Sequence, residues 1–225
     1  AFFRTDMPAR IIQPAPRELV SQYYDWAETP EEADFALVFI ESPLSDGYSA
    51  QDRANGGNGY VPISLQYRPY TAYTARETSV AGGDFREDSA NRSYKDKTGT
   101  AANESDLDLV IDTKKALGDK PLIVVLRMHN PTVAKEFEEY ADAILIDFGV
   151  QGQAIFDLVS GKAEPSGLLP VQMPANMETV EKHCEDLPFD IEPYQDSTGN
   201  RYDFGFGMNW SGTIDDQRTQ RYRRK

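Results

Sequence analysis

Cysteine, histidine and positive charge are all scarce in this chain, and each shortage removes a class of chemistry. One cysteine, Cys184, in 225 residues leaves no internal disulfide and no Cys-rich zinc site. Two histidines, His129 and His183, are too few for a histidine-based metal centre of the usual three or four ligands. The 23 Lys and Arg against 37 Asp and Glu give a net charge of −14, which opposes a polyphosphate partner and argues against nucleic acid. The small basic stretch Arg218 to Lys225 is the exception, and it is expected to be a solvated, frayed terminus. No apolar run approaches the roughly 20 residues needed to cross a bilayer, so no transmembrane helix or membrane partner is expected. The opening AFFRTDMPAR has neither the basic segment nor the long apolar stretch of a secretory signal. Whatever chemistry the chain performs falls to its carboxylates.

What is present is a globular chain, 40% hydrophobic and 27% charged, of a size to bury one substantial core. Three continuous apolar runs of strand length, Phe35 to Ile40, Leu122 to Leu126 and Ala143 to Ile146, suit strands buried on both faces of a parallel sheet. Leu168 to Met173, bounded by prolines, is read as a fourth. Helical spacing separates them. It runs from Pro16 to Trp26 (Leu19, Tyr23 and Trp26 on one face) and from Asn103 to Leu117, with Asn103 or Ser105 as cap and Gly118 as stop. A third helix is expected after the Asn130 cap and Pro131, with Val133, Phe137 and Tyr140 inward. A fourth spans Gln153 to Ser160 and closes at Gly161. Strands alternating with helices predict an α/β fold, a doubly wound and mostly parallel sheet with helices on both faces, a flavodoxin-like α/β sandwich.

A long insertion interrupts this rhythm after the first clear strand. Ser42 to Glu104 holds six of the twelve tyrosines (Tyr48, Tyr60, Tyr67, Tyr70, Tyr73 and Tyr94), five arginines and the turn Asn55-Gly-Gly-Asn-Gly59. Loops this long are usually lids or binding loops when they are ordered, and tyrosine enrichment argues for order. Tyr60 to Tyr73 alternates enough to predict a hairpin. A second polar segment, Glu181 to Asn209, ends in Tyr202-Asp-Phe-Gly-Phe-Gly207.

Four pieces, in this order, resemble the C-terminal α/β sandwich domain of glycoside hydrolase family 3. They are Lys120-Pro-Leu-Ile-Val-Val-Leu126 with Asn130-Pro131, Ala141-Asp-Ala-Ile-Leu145 with Gly149 and Ala154-Ile155, Pro165-Ser-Gly-Leu-Leu-Pro170 running into Val-Gln-Met-Pro174, and Tyr202-Asp-Phe-Gly-Phe-Gly207-Met-Asn-Trp210. Leu168 stands where the family has a basic residue, and Met208 where it has Leu. The similarity covers roughly residues 33–210. It implies one such domain over residues 1–215, followed by the basic tail 216–225. The family domain has a further strand–helix unit before the one at Phe35; the short stretch before Phe35 here leaves that unit thin or lacking, with Arg10-Ile-Ile-Gln13 as its candidate strand.

The resemblance also implies a chemistry. Retaining glycoside cleavage uses two carboxyl groups about 5–5.5 Å apart, a nucleophile and an acid/base. In the family the nucleophile is an aspartate on a separate N-terminal (β/α)8 barrel, and the sandwich domain supplies a glutamate as acid/base. Some members carry it directly after a strand, in Val-Gly-Glu-x-Pro-Tyr, and Phe39-Ile-Glu41-Ser-Pro43-Leu is similar, with Ile40 for the Gly and Leu44 for the Tyr. Glu41 is therefore the candidate acid/base, and its bland alternative is a carboxylate bonded to nearby amides at a strand end. Other members place the acid/base in a loop ending Asp-Arg; Asp52-Arg53 fits that ending, which makes Asp46 and Asp52 the secondary candidates. His129 reads as a polar residue beside the Asn130 cap, and Asp147 as a turn residue. The tyrosines with Arg53, Arg68 and Arg76 are of the right chemistry to line a sugar subsite.

No cofactor is implied. The expected partners are a β-glucoside or related oligosaccharide and the barrel, in the same or a companion chain, and the resemblance implies export to the periplasm or medium. The chain alone is expected to be inactive, its function being part of a retaining exo-acting β-glucosidase-like enzyme. A non-catalytic carbohydrate-binding or scaffold domain of the same fold is the alternative. An unrelated flavodoxin-like module is disfavoured, because no Gly-rich phosphate loop follows any strand.

Overall fold

A computed structural model describes residues 15–79, 91–184 and 187–222. Its centre is a parallel sheet of three strands: β1 (Ala36–Glu41), β4 (Leu122–Arg127) and β5 (Ala143–Asp147), in the order β1-β4-β5. Two short antiparallel pairs lie outside it, β2 (Tyr70–Thr71) with β3 (Thr98–Gly99) and β6 (Met208–Asn209) with β7 (Gly212–Thr213). The helices are α1 (Arg17–Val20), α2 (Ala50–Ala54), α3 (Glu104–Leu117), α4 (Gly152–Val159), α5 (Met177–Lys182) and α6 (Gln217–Tyr222).

Pairing follows the apolar runs: Val38 lies opposite Val124, and Ile40 opposite Leu126, while Val124 and Leu126 meet Ile144 and Ile146. Because side chains alternate along a strand, these residues share one face. On that face they meet Leu107, Val110 and Leu117 of α3, together with Tyr67, Phe137, Leu169 and Met173, as the main core. On the other side, Ile155 and Phe156 of α4 are buried, Tyr23 stacks on Phe156 with ring centres 5.6 Å apart, and Ile123, Phe35, Tyr23 and Val159 border one cavity. The expected α/β sandwich is thus what the chain forms.

α3 runs between its predicted signals, with Glu104 and Asp106 in the first turn and Lys114 and Lys115 in the last, in the sense the helix dipole favours. α4 also starts and stops where its pattern placed it. Five expectations are corrected. The first helix ends at Val20, so Trp26 leaves the predicted face and is exposed, with the Arg17 guanidinium over its ring.

The helix expected after Pro131 is two short 3-10 turns, Ala134–Glu136 and Glu138–Tyr140. The long loop claims its polar groups instead: the Val133 amide donates to the Leu65 carbonyl at 2.8 Å, and the Glu136 carboxylate accepts the amides of Tyr67 and Arg68. Phe137 still points inward, fully buried.

Residues 168–173 form no strand of the sheet. Prolines at 165, 170 and 174 remove ladder donors, and the segment bonds to the chain end: Leu169 N to Phe206 O, Gly205 N to Leu169 O and Met173 N to Tyr202 O. Gly207 is demanded there, because a Cβ on it would lie 2.1 Å from the Gly167 carbonyl oxygen.

The predicted Tyr60–Tyr73 hairpin is also replaced. Tyr60 bridges back to Tyr48, while Tyr70 and Thr71 pair forward with β3, so each half of the run is stapled to a different part of the insertion. The basic tail is not wholly frayed: α6 occupies residues 217–222, and Arg218 holds both Asp216 and the Ser166 carbonyl. The candidate strand Arg10 to Gln13, and residues 223–225 of the tail, lie outside the described residues.

Candidate functional site at the strand ends

Ligands of doubly wound sheets gather beyond the carboxyl ends of the strands. Here three chemically capable residues finish the three strands side by side: Glu41 lies in register with Arg127, and Arg127 with Asp147. Arg127 turns to Asp147 rather than to Glu41, donating through Nε and Nη2 to Oδ2 at 3.0 and 2.9 Å. The other Asp147 oxygen accepts the amides of Gly149 and Val150, so the buried carboxylate closes its own turn, the role its position suggested.

Glu41 is set apart by what holds its main chain. The amides of Ala36 and Ser42 donate to the carbonyls of Pro121 and Arg127 beside and on β4, so by alternation the Glu41 amide and carbonyl point to the free edge of β1. Three side chains meet them there. Asp106 Oδ2 accepts the Glu41 amide at 3.0 Å; Tyr67 Oη donates to the Glu41 carbonyl at 2.7 Å, and Asn103 Nδ2 to the same oxygen at 3.1 Å. Asn103 also donates to Asp106 Oδ2 at 2.9 Å and accepts the Leu44 amide at 2.7 Å. It stands at the N-cap position of α3 but spends its side chain on the strand end instead of on the helix.

The Glu41 side chain itself is 12% exposed, and its Oε2 lies 3.9 Å from Nε2 of His129. His129 follows β4, its amide donating to the buried Ser42 hydroxyl at 3.0 Å. Burial pushes the Asp106 carboxyl up from the ordinary range, and the charge of Glu41 adds to the shift, against the two N–H groups that favour the anion. Burial likewise raises the Glu136 carboxyl, and it lifts the Tyr67 phenol far above its usual value.

The remaining sequence candidates hold the loop in shape. Asp46 accepts the Tyr48 amide two residues on. Asp52 Oδ2 binds Lys97 Nζ at 2.6 Å and the Gly59 amide at 2.8 Å, and the lysine contact holds its carboxyl below the usual range. Arg68 is clamped to α3 by Glu104 and Asp108 at 2.7 and 2.6 Å, Arg53 reaches the Gly57 carbonyl, and Arg76 the His183 carbonyl. The three arginines therefore serve three different supports. Tyr67 is a core ring packed edge-on to Phe137, and Tyr94 donates to Glu181, where burial pushes its phenol up to about 12. A polar cavity of about 260 Å³ next to Arg76, Tyr94 and Glu181 shares no lining residue with the strand ends.

Asp106 and Ser42 carried no signal in the sequence. An acid in the first turn of a helix is ordinary, and only the fold brings it to a strand 65 residues away. The model of the glycosyl hydrolase family 3 C-terminal domain matches residues 17–210. The chain belongs to this family. Relatives of the family 3 domain include Beta-glucosidase C of Emericella nidulans, 34% identical over 60% of this chain and 22% of that protein. The Periplasmic beta-glucosidase of Salmonella typhimurium is 30% identical over 51% of the chain and 17% of the relative. A Putative beta-xylosidase of Formosa agariphila is 32% identical over 46% and 14%. The chain thus spans 14 to 22% of the length of these relatives. Among the described residues of this family 3 domain, no helix is long and apolar enough to cross a membrane.

Proposed function

We propose that this domain is the acid/base half of a retaining, exo-acting glycoside hydrolase that cleaves β-glucosides or related β-glycosides, with Glu41 as acid/base. The observation that carries the reading is a glutamate at the carboxyl end of β1 whose main-chain N–H and C=O are both fixed by side chains, in a domain of family 3. A general acid must be held within hydrogen-bond reach of one oxygen atom, and rigid support at the main chain restricts the side chain to a few rotamers. In the reaction Glu41 gives its proton to the leaving glycosidic oxygen while an aspartate on a (β/α)8 barrel attacks the anomeric carbon. It then takes a proton from the water that releases the sugar. The barrel belongs to the same or a companion polypeptide, and residues 1–215 form the domain that meets it.

The names of the relatives support a periplasmic or secreted setting and a glucoside or xyloside substrate. Asp46 is the secondary candidate for the acid/base. Asp52 is the poorer one, because its carboxyl is held ionised by Lys97 and has no proton to give near neutral pH. A non-catalytic scaffold is the second reading, favoured by the near-complete burial of the Glu41 side chain.

The test is complementation. The isolated chain is expected to show no hydrolysis of an aryl β-glucoside, and the chain joined to its barrel to show turnover. Hydrolysis by the isolated chain, abolished in Glu41→Gln, contradicts the need for a barrel while upholding the site.

A further inference from the structure

On the reading that Glu41 is the acid/base, we propose that Asp106 is a positioning residue for it, acting with Asn103 as a clamp that aims the Glu41 carboxyl. Asp106 is the third residue of the first turn of α3, where a short acid ordinarily faces the helix's own free amides. Here it is buried and turned outward from the helix, with one oxygen, Oδ2, accepting from both the Glu41 amide and Asn103 Nδ2.

The fold did not need a carboxylate for this. An edge amide can be left to water, and a buried acid without a cation costs free energy, as its raised titration shows. Among the described residues no Lys or Arg bonds to Asp106, whose partners are the Glu41 amide and Asn103 Nδ2. Tyr67 approaches from the loop and Asn103 from the helix start, while Arg127 at the end of β4 is committed to Asp147 and His129, just after β4, lies 3.9 Å from the Glu41 carboxylate. What the arrangement gains is rigidity at one residue. The N–H and C=O of Glu41 face the same edge and are gripped together, so the Cα–Cβ direction of the side chain cannot swing as strand ends usually do. A misplacement of about 1 Å in a catalytic group can cost about a hundredfold in rate, so such a grip has a catalytic use.

The experiment uses the chain assembled with its barrel and compares two substrates. Phenyl β-glucoside has a poor leaving group that needs a proton, whereas a dinitrophenyl β-glucoside leaves without one. Asp106→Ala is expected to lower kcat/KM for the phenyl substrate about ten- to a hundredfold, with kcat/KM for the dinitrophenyl substrate largely spared, because that constant reports formation of the glycosyl intermediate and not its base-assisted release. Asp106→Asn keeps an oxygen that accepts the same two N–H groups and is expected to recover most of the phenyl activity. Should Asp106→Ala fail to fold, Asn103→Ala removes the second arm of the clamp and is expected to give the same leaving-group signature.

Equal losses of kcat/KM on both substrates, or an Asp106→Asn as impaired as Asp106→Ala, overturn the inference, because a merely structural role lowers the amount of working enzyme and not its dependence on the leaving group. Glu41→Gln in the same assays separates the two levels. If it shows no leaving-group dependence, the acid/base reading itself falls. If it shows the dependence and the Asp106 variants do not, only the clamp falls.

Discussion

The Tyr67 phenol lies 2.7 Å from the main-chain oxygen of Glu41 and donates its hydrogen to it, so the tyrosine-rich insertion is fastened to the strand end from which it departs. The ring is fully buried and packs edge-on to Phe137 with centroids 6.2 Å apart. Tyr67→Phe keeps the ring and deletes the bond. A loss of about 1 kcal/mol is expected, because Asn103 still serves the same carbonyl. Urea unfolding checks it: the midpoint should fall with an unchanged slope.

Lys97 ties the two arms of the insertion by binding Asp52 at 2.6 Å and Asn58. The Asp52 carboxyl titrates below its ordinary value of 3.8, first because of the lysine hydrogen bond. A carboxyl depressed by folding adds stability that is complete above its unfolded value and is lost as pH falls through the lower folded value. Lys97→Met is therefore expected to destabilise the chain at neutral pH and to approach wild type as pH falls below the ordinary carboxyl range and through the folded value. Thermal midpoints across that range decide the matter, and a constant offset at every pH would count against the ion pair.

Glu181 behaves in the opposite sense. Burial raises its carboxyl above the ordinary 4.5, against the hydrogen bonds from Tyr94 and Tyr70. Its folded form holds a proton more tightly than its unfolded form, so the charge weakens the fold above the folded value and the penalty disappears as pH falls through the unfolded one. Glu181→Gln, which still accepts from Tyr94, is expected to raise the thermal midpoint at about pH 8 and to match wild type at about pH 4. A lower midpoint at the higher pH would show that the ionised form is the better partner.

The elements legible in the sequence were those whose signal is local. Phe35 to Ile40, Leu122 to Leu126 and Ala143 to Ile146 are apolar on both sides, and each became a strand of the sheet. α3 and α4 carried their periodicity and their glycine stops. Three of the misreadings, at residues 131–140, 168–173 and 60–73, share one cause, competition from residues distant in sequence. Pro131 to Tyr140 has a helical pattern, yet the insertion holds it in another shape: the Leu65 carbonyl takes the Val133 amide, and the amides of Tyr67 and Arg68 bind the Glu136 side-chain carboxylate. Leu168 to Met173 has strand composition, but its prolines and the approach of Gly207 direct it to the chain end. At the candidate site, Glu41 is singled out by its neighbours in sequence, whereas the contacts of Asp106 and Ser42 emerge only once β1, α3 and the end of β4 are brought together.

The measurement that bears most directly on the account is the turnover of Glu41→Gln in the chain assembled with its barrel, with phenyl and dinitrophenyl β-glucosides and with azide added. The account predicts a fall of about 10²- to 10⁴-fold on the phenyl substrate, little loss in forming the glycosyl intermediate from the dinitrophenyl one, and rescue by azide, which attacks that intermediate without needing a base. Undiminished turnover of the phenyl substrate would contradict it and leave Glu41 as a buried carboxylate at the end of a strand.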